Sequence, residues 1–188
     1  ARHAGLTVAG LAVALGLIAG NLAGQAAVAG WPAVPPGGAV DKLVWLSAGG
    51  VLIGLAAERM TDPRRIRWLI AGGLALAVIW IGWARIAIPD THAWLAALVT
   101  WGLVVWALGR VEAAGRGGGL VIAMVLVAAT AGIGLYSSSY SMAQLIGVVA
   151  AALAGAMLAA GRGPEGFGRA ARLALAAPMA GLLTMLGL

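Results

Sequence analysis

What most constrains this chain is a succession of apolar runs, each about 16–25 residues long, broken by short charged links. A run of that length crosses the roughly 30 Å hydrocarbon layer of a bilayer as one helix. Such runs fall at about 4–29, 42–57, 63–88, 93–109, 120–136, 141–160 and 170–188. None alternates apolar and polar residues as a membrane β-strand does. The expected fold class is all-α: a polytopic transmembrane helix bundle, one domain over 1–188, with seven helices. The count drops to six if the last run, which contains Pro178, is not a full span. Composition agrees. The chain is 62% apolar and 10% charged, against about 45–50% and about 25% in soluble domains.

The links set the orientation. The stretch Glu58-Arg59-Met60-Thr61-Asp62-Pro63-Arg64-Arg65-Ile66-Arg67 holds four arginines between two apolar runs. Basic residues resist translocation and stay on the cytoplasmic side. Arg59, Arg64, Arg65 and Arg67 are therefore the expected topology determinants and contacts for anionic lipid headgroups. When the helices alternate, Arg2, Arg110, Arg116, Arg162, Arg169 and Arg172 join them on one side, and only Lys42 and Arg85 fall on the other. This asymmetry predicts a cytoplasmic N-terminus. Arginine outnumbers lysine, and alanine and glycine are abundant, as in a GC-rich bacterial genome. The expected location is a bacterial inner membrane, crossed many times. The net charge of +6 is accounted for by these links, so nucleic acid is not an expected partner. The first run has a basic start and a small-residue site at Ala27-Val28-Ala29, as a signal peptide would. It exceeds the usual apolar length of one and is read as an uncleaved helix.

Inside the runs, small residues recur at helical spacing. Gly16, Gly20 and Gly24 form two overlapping G-x-x-x-G units, Gly50 and Gly54 another, and Gly147 and Gly155 belong to a stripe with Ala143 and Ala151. Such stripes let helix backbones approach closely in lipid, and these glycines are the expected packing positions. Asn21 and Gln25, four apart, share a helix face and suit an interhelical hydrogen bond. Asp41 and the Asp62-Pro63 pair are placed to cap helices. Tryptophans near the run ends suit the headgroup level.

Chemistry is harder to find. The six carboxylates, Asp41, Glu58, Asp62, Asp90, Glu112 and Glu165, all fall in links or at helix ends, so no acidic relay crosses the midplane. His3 and His92 fall on opposite faces. Cysteine is absent, which excludes thiolate ligation. Gly117-Gly118-Gly119 lacks the Lys-Ser/Thr ending of a phosphate loop. No catalytic, metal or cofactor site is expected. Asp41, Arg85, Asp90 and His92 form a speculative polar cluster on the outer face.

Three functional readings follow. The leading one is a non-catalytic integral subunit or accessory component of a larger membrane complex, partnered by lipid and by other integral subunits. The alternative is a small-solute transporter or channel with a midplane polar cavity, lined by groups such as Asn21, Gln25, Ser47, Thr100 or Thr130. A third is a membrane enzyme acting at the outer interface through Arg85, Asp90 and His92.

Overall fold

A computed structural model describes residues 8–87, 91–113, 144, 146–148, 150–151 and 168–187. The described residues are helical or form links, with no strand among them. The long helices among the described residues are α1 (Val8–Ala29), α2 (Ala39–Arg59), α3 (Pro63–Ile86), α4 (Thr91–Ala113) and α5 (Arg169–Gly187). Helices α1 to α4 are long and apolar enough to cross a membrane. The run expected at 120–136 lies outside the described residues. Six residues of the 141–160 run are described, and all are helical.

Local chemistry sets the helix ends. α1 stops before Gly30, whose φ of 90° is the left-handed conformation that ends helices at little cost to glycine. The link that follows contains a cis Val34–Pro35 bond. α2 starts after Gly38, and Asp41 in its first turn reaches back to accept the Gly38 amide at 3.2 Å. α3 starts as its Asp-Pro pair predicts. Asp62 Oδ1 accepts the Arg64 amide at 2.8 Å, and Pro63 occupies the first helical position, where no amide is needed.

α1 and α2 are antiparallel, because Asn21 meets Ser47 while Gln25 meets Asp41. α3 and α4 form a second hairpin, tied by the Trp101 indole N–H donating to the Ala71 carbonyl at 2.9 Å. α5 packs against all four of these helices. It runs antiparallel to α2: Gly54 sits on Ala170, Gly50 on Leu173, and Gly181 against Leu43 and Leu46. Most of its side chains are buried, including Leu173, Ala174, Ala180, Leu182 and Thr184.

The sequence leaves this last run the least secure of the seven, because it is short and contains Pro178. In the structure it is the helix around which the others are arranged. The reason is physical. In lipid, apolarity does not drive one helix onto another; close van der Waals contact does. An interior helix therefore uses small residues, and the alanine-rich α5 is the most enclosed of the five helices. Pro178 is buried within it. A helix proline costs an amide, and surrounding helices make that tolerable at membrane depth.

Candidate functional site

Four places in the bundle concentrate features beyond generic packing. The first is a polar layer between α1 and α2. Asn21 Nδ2 donates to Ser47 Oγ at 2.7 Å, and Ser47 Oγ donates to the Leu43 carbonyl at 3.3 Å. One turn nearer the α2 start, Gln25 Nε2 donates to Asp41 Oδ1 at 3.3 Å. Asn21, Gln25 and Ser47 are 5%, 1% and 1% exposed. The two amides on one face of α1 thus reach the same neighbour. Gln25 Oε1 is buried and has no hydrogen-bond partner among the described residues. Thr184, fully buried on α5, donates back to the Ala180 carbonyl at 2.7 Å.

The second place is the seam between α2 and α5. A Cβ on Gly50 would overlap the Leu173 carbonyl, and one on Gly54 would overlap the Ala170 Cα. These are backbone atoms, so a side chain cannot simply swing aside. Of the other expected packing glycines, Gly24 lies against the Val148 side chain, whereas a Cβ on Gly16 or Gly147 would meet nothing within 4 Å. Gly155 lies outside the described residues, and Gly20 is half-buried.

The third place is the basic end. Arg59, Arg64, Arg65 and Arg67 are exposed there, and Arg65 Nε lies 3.4 Å from Asp62 Oδ2 in an exposed pair of little energetic weight. α5 begins at this same end. Arg169 Nη1 donates to the Ala57 carbonyl at 3.3 Å, and Glu58 Oε1 accepts the Ala170 amide at 3.2 Å. Sequence reading missed Glu58 as a cap, although a signal was present. A carboxylate in the last turn of its own helix opposes the dipole there, and so implies a use elsewhere.

The fourth place is a groove of about 440 Å³ between α2 and α3, with Ala177 of α5 also in its lining. Its lining is almost entirely apolar, with Trp45, Trp80 and Trp83 among the walls and Gly49, Gly50 and Gly73 in its bed. Lys42, at the α2 start, donates to the Trp80 carbonyl at 2.9 Å and lies over the Trp80 ring, 5.6 Å from its centroid. That residue is the only lysine in the chain.

Of the speculative outer cluster, only Asp41 and His92 have described side chains. Asp41 is engaged by Gln25 and the Gly38 amide, and His92 is exposed at the start of α4. The Arg85 side chain and Asp90 lie outside the described residues. Among those residues no three His, Cys, Asp or Glu side chains converge as a metal site.

Tryptophans gather toward both ends of the bundle. Trp45, Trp80, Trp83 and Trp94 are exposed on the Lys42 side, and Trp68 and Trp106 are exposed nearer the basic side. Amphipathic rings at two levels match the two headgroup layers of a bilayer. No protein-family model, curated protein or solved structure matches the chain.

Proposed function

We propose that this chain is a non-catalytic integral subunit or accessory component of a larger membrane complex, seated in a bacterial inner membrane with a cytoplasmic N-terminus. The observation that carries the reading is how its interior polar groups are used. Asn21, Ser47 and Gln25 join α1 to α2, and Thr184 bonds within α5. The first two bonds hold α1 to α2, as polar side chains do in lipid. Meanwhile α4 turns Trp94, Leu95, Leu98, Val99, Leu103 and Trp106 outward as a continuous apolar stripe, a surface suited to a neighbouring helix. The basic end supports the orientation, since Arg169 and the arginine link meet there.

The test is extraction of the full chain from its native membrane in mild detergent, followed by native mass spectrometry. A defined complex of fixed stoichiometry with another integral protein supports the reading. A lone monomer overturns it.

The transporter reading draws on one observation, the buried Gln25 Oε1 beside Asp41. An acceptor there would suit a passing cation or a hydrogen-bonding solute. Solute uptake by vesicles containing only the purified chain would favour it.

A further inference from the structure

We propose that the groove between α2 and α3 is a binding site for one acyl chain of an anionic phospholipid, whose phosphate is held by Lys42. The inference requires α2 and α3 to lie in a bilayer, and is independent of whether the chain joins a complex.

Three features of the groove select this occupant. The first is length. The α2 wall runs from Trp45 to Ile53 and the α3 wall from Gly73 to Trp83, which is about 12–15 Å at the helical rise. That is the depth of one leaflet, about half of the roughly 30 Å hydrocarbon layer. A transmembrane helix from a partner would need a groove running the full depth. The lining of this one ends at Ile53 and Gly73.

The second is shape and surface. The volume of about 440 Å³ falls in the range of small-ligand sites, about 300–1,000 Å³. The bed is open at Gly49, where a side chain would otherwise stand. A Cβ on Gly49 would meet nothing within 4 Å. An apolar chain is the ligand such walls accept without an unpaired polar group.

The third is charge. On α2, Lys42, Trp45, Gly49 and Ile53 lie three to four residues apart, so Lys42 tops the same helix face that lines the groove. Its ammonium is pinned over Trp80, itself a wall residue. One of its three N–H groups is used on the Trp80 carbonyl, leaving donors for a phosphate oxygen. The cation therefore stands at the outer mouth, at headgroup level, directly above the apolar channel.

The experiment is native mass spectrometry of the full chain released from nanodiscs of phosphatidylglycerol, phosphatidylcholine, or an equal mixture. The native chain is expected to retain one phosphatidylglycerol molecule, selected over phosphatidylcholine by about fivefold. K42Q should bring that preference near unity while a lipid is still retained, and K42R should restore it. A Cβ at Gly49 meets nothing within 4 Å, so G49L is aimed at the groove and should abolish the retained lipid while its melting temperature stays native. Equal retention of the two lipids by the native chain overturns the charged part of the site. A lipid still retained by a folded G49L chain, or a second protein chain protecting the groove, overturns the site as a whole.

Discussion

Glu58 and Arg169 exchange helix caps across 112 residues of chain. Glu58, at the end of α2, accepts the Ala170 amide at the start of α5; Arg169, at the start of α5, donates to the Ala57 carbonyl at the end of α2. Each side chain sits at the unfavourable pole of its own helix and at the favourable pole of its neighbour's. The exchange anchors the central helix at the basic end of the bundle.

Removing Glu58 leaves the first α5 amides without that acceptor. Glu58→Ala is expected to destabilise the bundle by about 1–2 kcal/mol. Glu58→Gln retains an acceptor oxygen and should lose less, about 0.3–1 kcal/mol of dipole interaction. Thermal unfolding in a fixed detergent measures both. Equal losses for the two variants would show that the cap is not what Glu58 provides.

Gly50→Ala and Gly54→Ala push a methyl into the α5 backbone and should each cost about 1–3 kcal/mol or more. Gly16→Ala, which meets nothing, should stay within about 0.5 kcal/mol of native. Monodisperse yield and melting temperature rank the three. A Gly16 variant as damaging as the Gly54 one would contradict the seam described here.

The Asn21–Ser47 bond is expected to contribute about 0.6 kcal/mol, the average for interhelical hydrogen bonds in lipid, and at most about 1.7 kcal/mol. Asn21→Ala, Ser47→Ala and the double variant form a thermodynamic cycle. A coupling energy near zero would mean that the two side chains act separately.

With no cysteine in the native chain, single cysteines report topology without background. Ala33→Cys, in the exposed α1–α2 link, should react with an impermeant thiol reagent from outside the cell. Thr61→Cys, in the exposed arginine link, should react only after the membrane is opened. Labelling of both from the same side would break the proposed orientation.

Much of the bundle was legible in the residues. Run length, the Asp62-Pro63 helix start and the shared face of Asn21 and Gln25 are local properties, set by helical periodicity and by backbone groups a few residues away. The candidate site was less legible. Lys42 read only as one of two basic residues on the less charged side and Glu58 as part of a link, because their partners, Trp80 and Ala170, lie 38 and 112 residues further along the chain.

By itself, the sequence determined that this chain forms long apolar helices joined by short links, with its arginines gathered into a few of those links. The cost of placing bare peptide groups or guanidinium in hydrocarbon dictates that whatever the neighbours are. Only the tertiary structure decided that α5 is the centre, that Gly54 is a contact while Gly16 is not, and that a groove runs beneath Lys42. Hydropathy belongs to one segment, whereas close approach belongs to two, and no residue carries a record of which backbone will be set against it.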